Sequence, residues 1–293
     1  MRAPAAMHRP ETLEELLAIL REHGDSAKIV AGGTAFTILW KAGLLQAEHI
    51  VSATGLHGLT DVRADDEALT VGALARVRDV ERAEATRRNS PVLASALRLV
   101  ANVRVRNVAT MGGNVAEADY TSDPPAVLSA LDAVVTIRDK DGGRDLPLRE
   151  FLVDYFETAL RPDEFVTGVR IPILAADWGG TYLKLLSRSA EDRTCIGVAA
   201  FLQHATDGTC AGVRVAVVGG NPVPLRLPEV ERQFVGQEPS MEAFAALAAE
   251  YAAAADPVAD NRGTASYRRR VMAPLIVRAL RRAARGTNDA VFA

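Results

Sequence analysis

The sequence predicts an α+β protein of two domains, the first of them subdivided, and three observations carry that expectation. A chain of 293 residues is long for a single hydrophobic core. Its N-terminal stretch reads as a small βαβ unit, after which the pattern changes to short strands interleaved with helices. Beyond Trp178-Gly179-Gly180 three strands precede three helices, the order of a separate α+β unit.

Each element has a local reason. Thr12, with Glu15 three residues on, makes a capping box; Leu13, Leu16, Leu17 and Leu20 form one helical stripe, and Gly24 stops it. "AKIVA" is a buried strand running into Gly32-Gly33, "FTILWKAG" a short helix and "EHIVS" the next strand. From Leu59 come the strands "LTDVR" and "ALTVGA", a helical stretch from about Val77 and another from Pro91 to Ala101. Pro124 opens a helix through Leu131, because proline suits the first helical turn. "AVVTIRDKDGGRDLPL" reads as two strands joined at Asp141-Gly142-Gly143, and "DEFVTGVRIP" adds one more. The last region holds strands near 180–186, 194–205 and 210–218, then helices near 228–235, 240–255 and 266–285.

Composition narrows the function. A formal net charge of -3 gives no general field for nucleic acid or anionic lipid. The basic runs Arg268 to Arg270 and Arg278 to Arg285 sit among apolar residues at helical spacing, as on a solvated helix face. Met1 to Pro10 carries Arg2 and Arg9 without an apolar secretory core, and no stretch approaches the roughly 20 apolar residues of a membrane span, so a cytoplasmic location is expected. Cys195 and Cys210 are too few to ligate an all-cysteine iron-sulfur cluster and are expected to be reduced and buried. The histidines at 8, 23, 49, 57 and 204 show no metal-ligand spacing, so no protein-built metal site is expected.

The chemistry is concentrated in two loops. "AGGTAFTIL" at 31–39 and "ATMGGNV" at 109–115 each set polar residues beside a glycine pair. Successive amides at such a turn converge on an anion, and glycine lets the ligand approach. Two such nests together would clasp a diphosphate, with Thr34, Thr110 and Asn114 adding side-chain hydrogen bonds; two ordinary tight turns are the alternative. Neither GxGxxG nor GxxxxGK[ST] occurs, which argues against a Rossmann domain or a P-loop.

At these loops the chain resembles a known family. "AGGTAFTIL" and "VRVRNVATMGGNVAEADYTSDPPAVLSALDAVVTI" are similar to the glycine-loop segments of the FAD-binding medium subunits of xanthine dehydrogenase and carbon monoxide dehydrogenase type molybdenum hydroxylases. The resemblance extends through "HRPETLEELLAIL", "LTVGALARVRDVE", "YLKLLSRSAEDRTCIGVAA", "AVVGGNPVPLRLPEVE" and "YRRRVMAPLIVRAL", nearly end to end. It implies a PCMH-type FAD-binding domain over 1–175, in α/β subdomains 1–57 and 58–175. A C-terminal α+β domain over 176–293, a three-stranded antiparallel sheet with helices, would follow.

The resemblance also implies roles. Ala31, Gly32, Gly33, Thr34 and Ala35, with Thr110, Met111, Gly112, Gly113 and Asn114, would lie over the FAD diphosphate. Asp123 would contact the ribityl or adenosine side and Lys184 would lie near the isoalloxazine, where a cation favours the reduced anion. The bland alternative for Lys184 is a strand lysine with its head in water. Ala35 stands where many relatives place Asp, Asn or Ser, which removes a hydrogen bond. Asp119-Tyr120 replaces a commoner Ser-Pro, and Tyr120 either packs on the flavin or covers the loop. Arg104 and Arg106, if extended, project toward anionic atoms or form surface ion pairs. No catalytic residue of this chain is expected, including His57 and His204.

The implied function is electron transfer. A large partner subunit would hold a molybdenum cofactor, a small one two [2Fe-2S] clusters, and the FAD here would relay electrons to an external acceptor, in a dimer of heterotrimers. The alternatives are a self-contained flavin oxidase or dehydrogenase, and a non-enzymatic scaffold that has lost FAD.

Overall fold

A computed structural model describes residues 5–293; Arg2, part of the N-terminal leader reading, lies outside the described residues. The first unit is β1 (Ala6–His8), α1 (Leu13–His23), β2 (Ala27–Val30), α2 (Thr34–Ala42) and β3 (His49–Ser52). Its three strands are parallel in the order β1-β3-β2, so the expected βαβ unit is present with one added edge strand. Thr12 caps α1, its hydroxyl accepting the Glu15 N–H at 3.2 Å, while the Glu15 carboxylate reaches back to the Glu11 N–H at 2.8 Å. Leu16, Leu17 and Leu20 bury the helix stripe against Val51, Ala53 and Leu56.

The second unit contains β4 (Val62–Ala64), β5 (Ala68–Gly72), α3 (Val77–Arg82), α4 (Glu84–Asn89), α5 (Pro91–Arg98), α6 (Val103–Arg106), α7 (Met111–Ala116), α8 (Asp123–Ala130), β6 (Val134–Asp139), β7 (Gly142–Pro147), α9 (Leu148–Phe151), β8 (Leu152–Asp154), β9 (Glu157–Thr158) and β10 (Phe165–Pro172). Five of these strands form one sheet, β4-β5-β10-β6-β7, whose neighbours all run antiparallel. Every residue of α8 is buried. Apart from Asp123 and Ser129 this helix is apolar all round, as suits a helix inside a core rather than at a surface.

The last unit is β11 (Trp178–Leu185), β12 (Ile196–His204), β13 (Cys210–Val218), α10 (Pro228–Phe234), α11 (Met241–Ala254), α12 (Ala265–Ala283) and β14 (Asn288–Phe292). The three antiparallel strands expected from the sequence are joined by β14, which runs parallel to β11 and was not foreseen. Alternation along β12 explains how the units dock. Ile196, Val198, Ala200 and Leu202 face α11 and α12, whereas Ala199 and Phe201, with Tyr182, Ala216 and Val218, enter the core of the second unit beside Leu93, Val127 and Leu128. The C-terminal sheet is therefore covered on both faces, one of them by the preceding domain.

Cys195 and Cys210 are free and buried, as expected, and burial pushes the Cys210 thiol up to about 11. Among the described residues no helix is long and apolar enough to cross a membrane. The basic run at Arg268 is not wholly a solvated face: Arg268 is fully buried, donating to the Gly219 carbonyl at 2.7 Å and to Asp260 at 2.6 Å. Burial opposes ionisation of Asp260. The Tyr120 hydroxyl, the Arg262 N–H and the Arg268 guanidinium outweigh it and hold the carboxyl well below the usual carboxylate range.

Asp260 thus stabilises the fold above the unfolded aspartate value of about 3.9, and that contribution is lost as pH falls through the lower folded value. Asp260→Asn should cost about 3 kcal/mol at pH 7 by stranding Arg268. Its thermal midpoint should also fall less steeply than the wild type's between about pH 4 and pH 2, as calorimetry across that range would check.

Candidate functional site

The two glycine loops meet. A Cβ built on Gly32 would lie 2.0 Å from the Val108 carbonyl oxygen and 2.9 Å from the Ala109 Cα, so the first loop is pressed directly on the backbone leading into the second. Only glycine fits there. Gly33 follows in the left-handed region at φ 68° and starts α2. No side chain caps that helix, so its opening amides, from Thr34 onward, have no intrahelical acceptor. They point the positive end of a nine-residue helix out of the loop, a geometry suited to an anionic oxygen. Ala35 lies in this first turn and offers its backbone amide.

The second loop is built differently from the expected nest. The Met111 N–H donates to the Ala75 carbonyl at 3.0 Å and the Gly112 N–H to the Ala73 carbonyl at 2.8 Å. The Gly113 N–H donates to the Thr110 hydroxyl at 3.1 Å, and the Asn114 N–H to the Thr110 carbonyl at 2.9 Å. These four amides are thus satisfied within the chain. Met111 is fully buried, and Gly112 is held against Ala73, whose Cβ would lie 2.6 Å from an added one. What this loop presents outward is exposed Gly113; buried Thr110 beside it accepts as a cap through a hydroxyl that keeps a proton to donate. The Asn114 amide donates to the Ser122 hydroxyl at 3.0 Å, and that hydroxyl donates back to the Asn114 carbonyl oxygen at 3.1 Å.

Asp123 and Lys184 are brought together behind these loops. Lys184 Nζ lies 2.8 Å from Asp123 Oδ2 and 2.7 Å from the Leu99 carbonyl, and the Tyr182 hydroxyl donates to Asp123 Oδ1 at 2.6 Å. Lys184 does not reach water: its side chain is 0% exposed and that of Asp123 5%. Burial drives the Asp123 carboxyl upward, opposed by the charge and hydrogen bond of Lys184 and by Tyr182. Burial and the neighbouring carboxylate push the Tyr182 phenol well above its ordinary value, so it stays a donor. Tyr182 was missed by the sequence reading, although it stands two residues before Lys184 and so shares its strand face.

Tyr120 donates its hydroxyl to Asp260 at 2.7 Å and stacks edge-on with Tyr155 and Phe156, so it ties the second loop to the C-terminal domain. Arg104 and Arg106 lie in a helix, α6, rather than in extended chain, and Arg106 donates to the Val100 and Ala101 carbonyls and pairs with Glu81. His57 is exposed, and His204 sits 2.8 Å from the Ala284 carbonyl. On the rim, Arg193 pairs with buried Asp119 at 2.9 Å, and burial pushes the nearby Glu117 carboxyl up.

Residues 3–174 match the family described as the FAD binding domain in molybdopterin dehydrogenase, and residues 181–283 the CO dehydrogenase flavoprotein C-terminal domain. The chain is 31% identical to the 6-hydroxypseudooxynicotine dehydrogenase complex subunit alpha of Paenarthrobacter nicotinovorans, over 96% of each chain. It is 28% identical to the carbon monoxide dehydrogenase medium chain of Hydrogenophaga pseudoflava, over 93% of this chain and 94% of that one. A solved carbon monoxide dehydrogenase from Hydrogenophaga pseudoflava superposes with a TM-score of 0.93 at 29% identity, covering 98% of this chain and 100% of that one. These matches and the architecture define an FAD-binding chain of dehydrogenase complexes. It belongs to the FAD-binding medium subunits of the carbon monoxide dehydrogenase and xanthine dehydrogenase type molybdenum hydroxylases, and is an oxidoreductase subunit.

Lys184→Met should leave a carboxylate buried without its cation and cost about 3–5 kcal/mol. The double variant Asp123→Asn/Lys184→Met should recover much of that loss, a coupling that urea denaturation of the four chains would measure.

Proposed function

We propose that this chain relays electrons from [2Fe-2S] clusters of a small partner subunit, through its own FAD, to an external acceptor, while a large partner subunit with a molybdenum cofactor oxidises the substrate. The complex is proposed to be a dimer of heterotrimers. The observation that carries the reading is the contact of Gly32 with Val108 and Ala109, since it makes the two glycine loops one surface. Several features of that surface fit an FAD diphosphate: the uncapped start of α2, glycine at the point of closest approach, and the exposed Gly113 beside a hydroxyl donor.

In this reading Ala31 to Ala35 supply the anion-binding amides. Thr110 and Gly113 form the facing wall, with Met111, Gly112 and Asn114 holding that wall in shape. Asp123 and Lys184 act as positioning residues through their buried pair, fixing the start of α8 against the C-terminal sheet behind the flavin. Segment 1–175 is the flavin-holding unit and 176–293 its cover. When bound, FAD supplies the ability to take electrons singly and give them up as a pair. The chain contributes binding, orientation and the field of the α2 terminus.

Partner subunits are supported by α2 itself. None of its residues is buried, Ile38 is 64% exposed, and Leu44 just beyond its end is 77% exposed. Two large apolar side chains left in water at this helix suit a surface that another protein covers. The relatives named as a complex subunit and a medium chain support the same assembly.

Purifying the complex from its native host, recording its visible spectrum and identifying the accompanying chains tests the proposal. Flavin absorption with stoichiometric iron and molybdenum on two partner chains is expected, and a lone chain that turns over substrate unaided would overturn it. Gly113→Val should abolish flavin retention while the chain still folds, at a cost of about 1 kcal/mol for the lost Thr110 cap, because a branched side chain would displace the Thr110 hydroxyl, 2.8 Å from its Cβ, and block the approach. A variant that stays fully yellow would refute this placement of the diphosphate.

A further inference from the structure

Three of the five histidines, far apart along the chain, meet at one corner of the first sheet. His8 ends β1, His49 opens β3 and His23 ends α1. Because Ala6 pairs with His49 in the parallel β1–β3 ladder, His8 lies two residues along on the same face. His49 also shares that face with Val51, which packs against Leu16, Leu17 and Leu20 of α1. The helix crossing the face therefore delivers His23 to the other two.

Their geometry is close. His8 Nε2 lies 2.9 Å from His49 Nδ1, the rings of His23 and His49 stack with centroids 3.6 Å apart, and one ring nitrogen from each residue falls within 4.8 Å of the others. All three are half-buried, which limits their freedom and leaves a path from solvent. Zinc bound tetrahedrally by imidazole at 2.0–2.1 Å sets its nitrogens about 3.3 Å apart. Opening the His8–His49 contact by a few tenths of an ångström, moving its shared proton to another ring nitrogen, and swinging the His23 ring out of its stack on His49 brings three lone pairs toward one point. The fourth position remains for water. The C-terminal end of α1 adds partial negative charge, which favours a cation there.

We propose that His8, His23 and His49 bind one divalent transition-metal ion of the class that prefers imidazole, with Zn²⁺ the best fit and Mg²⁺ or Ca²⁺ disfavoured by the all-nitrogen donor set. This revises the expectation of no protein-built metal site, which rested on spacing along the chain. The ion would tie the edge strand β1 and the end of α1 to β3. It would thereby stiffen the unit that carries Gly32 and Gly33. The site is independent of flavin.

The untagged full-length chain, stripped with chelator, is titrated with Zn²⁺ by calorimetry, and separately with Co²⁺ by visible absorption. One equivalent should bind and raise the thermal midpoint, and Co²⁺ should give nitrogen-ligand tetrahedral bands that saturate at one equivalent. His23→Ala and His49→Ala should each weaken Zn²⁺ binding by about tenfold or more, while His57→Ala leaves it unchanged. The metal-free midpoints of the variants check folding. Should one variant misfold, the Co²⁺ bands of the wild-type chain still decide. Absence of a saturating site, or a site lost with His57 and kept without His23, overturns the proposal.

Discussion

A lysine ammonium held in a dry interior constrains much of this molecule. Lys184 lies in a strand covered on both faces, and its charge is tolerable there only because Asp123 and the Leu99 carbonyl accept its hydrogen bonds. Few arrangements satisfy a buried cation, its carboxylate and the phenol of Tyr182 at once. The pair therefore fixes the first residue of α8 against the C-terminal sheet. Since α7 ends seven residues earlier, the same bond sets where the second glycine loop stands. The Tyr120–Asp260–Arg268 chain repeats the device on the other side of that loop.

The two glycine loops look alike in sequence and differ in what their amides do. Around the second, hydrogen bonds from Val77 to Ala109, Met111 to Ala75 and Gly112 to Ala73 consume the polar backbone and make a fixed wall. The first ends in an uncapped helix whose amides face outward from a left-handed glycine. One loop thus spends its amides within the chain, while the other leaves the opening amides of α2 without an intrahelical acceptor. Their contact at Gly32 is what lets them act as a pair.

Most elements were legible because their signals are local. The Thr12 cap and leucine stripe gave α1, the proline at the start of α8 gave its opening, and the glycine pair at 142–143 gave the β6–β7 turn. What escaped was short or borrowed its stability. β1 has three residues and forms by pairing with β3; β14 leans on the edge of β11; α6 and α7 have four and six residues and no stripe to show periodicity. Elements this short do not persist alone, so their sequences need not carry a strong pattern.

The sequence by itself determined the order of the longer elements, the location of both glycine loops and the family, because capping, alternation and glycine spacing are properties of neighbouring residues. Only the tertiary structure decided that Gly32 abuts Val108, that Lys184 is paired with Asp123 rather than solvated, and that three scattered histidines share one corner. The physical reason is that such contacts join residues from different elements. Which side chains end up without water depends on how the sheets dock, and no short window of the chain contains that information.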